Sequence, residues 1–133
     1  MNNAPFTLLY AAIASRVNDL GVPTVSASQD APSKLPMVRV QLLNGDATGR
    51  FKNADEYQYA FQLDVITAQD GLEQGLDLAY KIRQQLSQVV VDGYSVSEIG
   101  LPSITSMIDS STNRILNRQI LRVNYTMIEQ TAF

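Results

Sequence analysis

The chain has 133 residues, which fit one domain spanning residues 1–133 and leave no room for two. Apolar residues make up 45% of the sequence and charged residues only 17%, so the chain can bury a core while its surface stays largely polar and uncharged. The formal net charge of −3 argues against a nucleic-acid-binding protein, because such proteins normally carry a basic excess.

The sequence contains neither cysteine nor histidine, which excludes disulfides and thiolate catalysis, together with most hydrolase triads and zinc sites. We therefore predict no catalytic residue, no metal and no cofactor. No signal peptide and no apolar run of ~20 residues is evident, so we expect a protein that is cytoplasmic when made and that binds no membrane.

The first segment, Phe6 to Leu20, has the apolar spacing of an amphipathic helix. Gly21 follows where a helix C-terminal cap is expected, and Pro23 prevents continuation. Residues 22–36 contain three prolines and predict a connector with little regular structure. The predicted buried stripe of the helix consists of Phe6, Leu9, Ile13, Val17 and Leu20.

Two strands are predicted next, Met37 to Leu43 and Tyr57 to Val65, and the second alternates apolar and polar residues most clearly. We expect them to pair as an antiparallel hairpin with a long loop over residues 44–56. That loop contains Arg50, Phe51 and Lys52, which combine an aromatic ring with two positive charges. This combination is typical of interface anchors, although Phe51 could instead fold back onto its own domain.

A second helix is predicted from Asp70, with Asp70 as N-cap and Glu73 as its capping-box partner. Asp64, Asp70, Glu73 and Asp77 form the densest acidic cluster, which we interpret as a cap and a solvated helix face rather than a cation site. Gly75 marks either a close helix contact or a tolerated surface position. The predicted buried stripe consists of Leu72, Leu76, Ala79, Ile82 or Arg83, Leu86 and Val90.

The last part of the chain predicts one strand interrupted at residues 100–102, then a final strand from Leu116 to Glu129. Arg114, Arg118 and Arg122 recur at even spacing, which in a strand puts them on one side. They could form a positive docking stripe for an acidic partner or an ordinary solvated face. Tyr57, Tyr59 and Tyr125 are interpreted as packing residues rather than a ligand cage.

Taken in order, these elements predict an α+β fold with a single, mainly antiparallel four-stranded sheet. The expected order is α-β-β-α-β-β, with both helices packed on one face.

The stretch Leu35-Pro36-Met37-Val38-Arg39-Val40, the strand from Tyr57 to Val65 and the helix with Ala79, Ile82 and Leu86 resemble one protein family. It is the tail-terminator and tail-to-head joining family of long-tailed phages of Gram-positive hosts. The resemblance covers nearly the whole chain and is one of pattern and size.

This resemblance implies a virion protein of the tail or neck, made in the host cytoplasm, that forms a ring, expected to be hexameric, on the tail tube. Its partners would be the tail tube protein and a head connector or portal-side protein, without sequence-specific nucleic-acid binding. The acidic helix from Asp70 to Asp77 could meet the basic stripe from Arg114 to Arg122 of a neighbouring copy. Charge reversal at Arg118 and Arg122 is then expected to block assembly without unfolding the monomer.

Three other functions remain open from the sequence. A head-completion or connector protein would bind the portal side instead of the tail tube. A small bacterial ligand- or peptide-binding domain would have a concave apolar pocket and a stable monomer or dimer. An enzyme would need a site built from acidic residues or lysine.

Overall fold

The computed structural model describes residues 4–26, 35–51, 54–110 and 114–130. In chain order the elements are α1 (Pro5–Asn18), β1 (Thr24–Ser26), β2 (Met37–Phe51), β3 (Ala54–Ala68), α2 (Leu72–Leu86), β4 (Tyr94–Glu98), β5 (Ser103–Asp109) and β6 (Leu116–Gln130).

The strands form one mixed sheet in the order β1-β2-β3-β6-β4, with β5 also paired to β6. All neighbours are antiparallel except β1, which runs parallel to β2. The predicted four-stranded sheet with the order α-β-β-α-β-β is therefore wrong. With only three residues, β1 is too short to produce a periodic pattern. The predicted interrupted strand is two separate strands, β4 and β5, because Gly100 adopts a positive φ of 69° between them.

The β2–β3 hairpin is much longer than its sequence pattern indicates. Both strands run through most of the region predicted as a loop, and their register shifts between Leu42 and Asn44 and again between Ala47 and Gly49. The extra residues at these two shifts are Leu43 and Thr48, whereas Asn44, Gly45 and Gly49 are paired with residues of β3 rather than lying in a loop. The predicted loop over residues 44–56 is therefore wrong for residues 44–51 and 54–56, which lie in strands. Residues 52–53 lie outside the described chain.

Gly45 allows the hairpin to accommodate the buried ring of Tyr59, its direct partner across the strands. A Cβ atom on residue 45 would lie 2.6 Å from Tyr59 Cε1, well inside van der Waals contact. The Tyr59 ring cannot move freely, because it stacks on Tyr57 and meets the edge of Phe6.

We predict that Gly45→Ala lowers the free energy of unfolding by about 1–3 kcal/mol, the usual cost of overpacking. Denaturant unfolding measures the change. The same substitution in a Tyr59→Leu background, where the ring is gone, should cost much less. An equal cost in both backgrounds would show that the ring is not the cause.

Both helices pack against one face of the sheet, called here the covered face. The inward side chains of β2, β3 and β6 alternate with outward ones over most of the sheet. Met37, Ile66 and Leu116 form a second, small buried cluster on the other face. Leu9, Ile13 and Val17 are buried along α1, as predicted, whereas Phe6 is 44% exposed. The core on this face also contains Val38, Val40, Tyr59, Phe61, Leu63, Val65, Leu78, Ala79, Ile82, Leu86, Leu121, Val123, Tyr125 and Met127.

Helix α2 is rotated relative to the predicted stripe. Leu72 and Leu76 are 46% and 45% exposed, while Leu78 is 8% exposed, so the prediction was wrong for the first half of the helix. The rotation points Gly75 at the sheet, where a Cβ atom would lie 3.1 Å from Thr67 Oγ1. Gly75 is thus a site of close approach between helix and sheet.

The N-terminus of α2 also differs from the prediction. The N-cap residue is Gly71, and no side chain makes a capping hydrogen bond, so the predicted capping box of Asp70 and Glu73 is not formed. Both side chains are exposed to solvent.

Candidate protein interface

The face of the sheet without helices, called here the open face, carries a buried cluster of charges. Arg118 on β6 contacts Asp64 on β3 through its Nη2 atom, and its Nη1 donates a hydrogen bond to Asp109 Oδ2 on β5 at 3.2 Å. The side chains of Arg118 and Asp64 are only 21% and 7% exposed. One guanidinium therefore connects three strands and faces two carboxylates.

The cluster continues toward Arg122. Its Nε donates to Gln62 Oε1 at 3.2 Å, and Gln62 Nε2 donates to Asp64 Oδ1 at 3.1 Å. Burial lowers the pKa of Arg118, but the hydrogen bonds and charges of Asp64 and Asp109 outweigh it, so the pKa is raised overall. The cation is thus held within the fold.

The three arginines of the predicted basic stripe have different environments. Arg114 is exposed and precedes β6, which begins at Leu116, so it does not share the strand with the other two. Arg118 is paired within the sheet, and Arg122 is exposed on the open face. Of the three, Arg122 is the one that presents a cation from β6 to solvent.

The acidic cluster predicted from the sequence is divided between the two faces. Asp64 lies on the open face beside Arg118, whereas Asp70, Glu73 and Asp77 are exposed on or just before α2, which packs on the covered face. Among the described residues, no group of three or more acidic side chains is arranged to hold a metal ion. The exposed acids instead give the first two turns of α2 a negative outer surface.

In the hairpin, the Arg50 side chain is 85% exposed, and its Nε donates to Asp55 Oδ1 at 3.0 Å across the two strands. The Phe51 side chain and the whole of Lys52 lie outside the described residues. The predicted anchor role of this trio stays a prediction.

An apolar surface that was not predicted from the sequence lies beside strand β5. We call it the edge surface, and it consists of Leu72, Leu76, Tyr80, Ile104 and Ile108. These five side chains are between 45% and 70% exposed. The sequence of α2 contains a signal for this surface. The helix has two apolar stripes, whereas a helix that packs against one partner needs only one. The sequence pattern of β5 does not indicate that its apolar side chains are exposed to solvent.

The tyrosines act as packing residues, as predicted. Tyr125 is buried, and its hydroxyl donates to the carbonyl oxygen of Leu86 at the end of α2, at 2.6 Å. Burial raises the pKa of Tyr59 to about 12 and raises that of Tyr125 further. Burial also raises the pKa of Tyr57, with help from the hydrogen bond that its hydroxyl donates to Glu129.

These shifts predict alkaline unfolding. A tyrosine whose pKa is raised in the folded state contributes stability below the unfolded-state pKa near 10, and that stability is lost as the pH rises toward 12. We expect the free energy of unfolding to fall by up to about 1.4 kcal/mol per pH unit for each buried tyrosine. Denaturant titrations at a series of pH values measure the slope. Tyr125→Phe should make it shallower, and a flat profile would contradict the prediction.

The described surface offers an open cleft of about 850 Å³ at the end of the sheet where β6 begins. It is lined by Leu35, Ala68, Gln69, Asp70, Arg114, Ile115 and Leu116. The lining mixes polar and apolar groups, unlike the concave apolar pocket that a ligand-binding domain predicts. None of the described helices is both long and apolar enough to span a membrane.

Comparison with known proteins extends these observations. No protein-family model matches the chain, and no curated protein matches its sequence. One solved structure with a similar fold is a chain of the virion of a native gene transfer agent particle. It is 17% identical, the match covers 96% of this chain and 99% of that chain, and the TM-score is 0.60.

A second solved protein, known only by a sequence identifier, is 15% identical. The match covers 94% of this chain and 96% of that chain, with a TM-score of 0.58. At these identities the likeness shows a shared fold over nearly the full length of all three chains.

Proposed function

We propose that this chain is a structural protein of a phage-like virion, and that it serves as the tail-terminator or tail-to-head joining subunit. In this role it forms a ring, expected to be hexameric, that caps the tail tube and docks it to the head connector. The observation that carries the proposal is the end-to-end likeness in fold to a chain of a gene transfer agent virion. The sequence resemblance to the terminator family supports the more specific role.

The surface of the molecule supports a function based on protein contacts. An apolar surface on a small domain is a typical protein-binding feature, and here it lies beside β5, whose outer side has no strand partner among the described residues. The acidic outer surface of α2 and the exposed cation of Arg122 supply charges that a neighbouring subunit or a tail component can complement. The net charge of −3 also suits a channel through which DNA slides without binding.

The experiment is a pull-down of the full chain against two partners, a tail tube protein and a portal-side connector protein. Tail termination predicts retention on the tail tube, with rings at tube ends in electron micrographs. Retention on the connector alone would replace the proposal with a head-completion role. Binding to neither, with the protein remaining a monomer, would contradict assembly altogether.

A further inference from the structure

We infer that the edge surface, together with the outer edge of β5, receives the outer edge of strand β2 from a second copy of this chain. The inference rests on the proposed ring, and it names which surfaces of neighbouring subunits meet. It requires a head-to-tail contact, in which one surface binds a different surface of the next copy.

The edge surface is continuous because α2 turns one apolar stripe toward β5. Leu76 and Ser87 lie about three helical turns apart and therefore on the same side of the helix. Ser87 Oγ donates to Glu98 Oε1 on β4 at 3.2 Å, which fixes that side as the one facing the β4–β5 edge.

Strand β5 supplies the other half of this surface. Ile104 pairs with buried Leu121, and Ile108 pairs with Asn117, so both side chains lie on the covered face beside α2. Seven of the twelve large apolar side chains that are exposed among the described residues belong to α2, to the covered face of β5 or to the β4–β5 connection: Leu72, Leu76, Tyr80, Ile99, Leu101, Ile104 and Ile108. Such a concentration on one side of a small domain indicates a contact surface.

The backbone of β5 also favours a strand as the partner. In the described part of the chain β5 pairs with β6 alone, so its other side is an open sheet edge. Residues 103–108 contain no charge and no proline, the features by which edge strands usually avoid pairing with other chains. An open edge beside an apolar surface is the arrangement used when a strand is added to a sheet.

The same molecule offers a matching edge on the opposite side of the sheet. Strand β1 pairs only with residues 38–40 of β2, so the following residues of β2 have β3 as their one described neighbour. Residues 41, 43–48 and 50 are exposed there. A sheet whose described strands leave one open edge on each side can join copies head to tail, and a ring results when the rotation between copies closes.

Disulfide cross-linking tests this pairing, because the natural chain contains no cysteine and any bridge must come from the introduced residues. In a continuous sheet, cross-strand neighbours share a face, and Ile108 and Ala47 both lie on the covered face. We expect chains carrying Ile108→Cys together with a cysteine at one of positions 41–48 to form a ladder of covalent oligomers under oxidation. Ile108→Cys alone should give none. A dimer from the single variant, or no ladder at any position, would overturn the inference.

A charge substitution provides the second test. Ile108→Arg puts a charge into the edge surface and should weaken self-association by roughly 30-fold or more, as expected for the loss of an interface anchor. Val90→Arg is the matched control, because Val90 and Ile108 are both β-branched and 70% exposed, and Val90 lies beyond the C-terminal end of α2. Circular dichroism confirms that both variants fold. If Ile108→Arg still forms rings, the edge inference fails while the proposed function stands; if the natural chain forms no ring, the proposed function fails.

Discussion

Arg118→Met is expected to lower the free energy of unfolding by about 3–5 kcal/mol, the usual cost of removing one partner from a buried ion pair. The substitution keeps much of the side-chain volume but removes the guanidinium that the buried carboxylate of Asp64 contacts on the open face. The side chain of Asp64 is 7% exposed, so its carboxylate cannot recover its hydration without local rearrangement. Denaturant unfolding of the two proteins measures the difference directly.

Arg122→Met is the matched control. Arg122 lies two strand repeats further along the same face of β6. It is exposed and makes one hydrogen bond to a neutral side chain, Gln62. Its effect should stay within about 0.5 kcal/mol. Adding Asp64→Leu to the Arg118→Met chain should recover part of the loss, because the buried carboxylate is then removed as well. Equal effects of the two arginine substitutions would contradict the buried cluster.

Leu78→Ala is expected to destabilise the protein by about 2–5 kcal/mol, whereas Leu76→Ala on the same helix should cost less than about 1 kcal/mol. The two changes remove the same atoms, but Leu78 is 8% exposed in the core and Leu76 is 45% exposed on the edge surface. Thermal or denaturant unfolding of both variants provides the comparison.

This pair tests the orientation of α2. If Leu76→Ala were the more destabilising change, the helix would sit with its predicted stripe inward and the edge surface would not exist. A small cost in the monomer combined with a clear loss of self-association is the expected behaviour of an interface residue.

The buried cluster changes how assembly should be tested. Charge reversal at Arg118 cannot leave the monomer intact, since it would place a third carboxylate beside Asp64 and Asp109. Arg122 is exposed, so Arg122→Glu alone is the suitable variant for testing a basic contact from β6.

The sequence predicted the parts of the fold in which a simple period governs burial. Alternation along β3 and β6 and the stripe of Leu9, Ile13 and Val17 in α1 were readable because one side of each segment lies in the main core. The burial of Asp64 and Ile66 on the other side of β3 was not predicted. The interruption near Gly100 was readable for the same reason, since glycine and proline break a strand pattern.

The remaining features depend on partners that are distant in sequence. Gly45 was interpreted as part of a loop because its role depends on Tyr59, its partner across the hairpin. Arg118 was interpreted as part of a surface stripe because its partners come from β3 and β5. In α2, Leu72 and Leu76 fit a buried stripe as well as Leu78 and Ile82 do, and the choice depends on where Gly75 approaches the sheet.

We propose that this domain works by joining copies of itself into a ring on a tail tube. The decisive measurement is electron cryomicroscopy of tubes grown from the companion tail tube protein, with and without this chain. We expect a hexameric ring at one end of each tube and an end to further tube growth. Bare tube ends and unchanged growth, with the chain remaining in solution as a monomer, would contradict it.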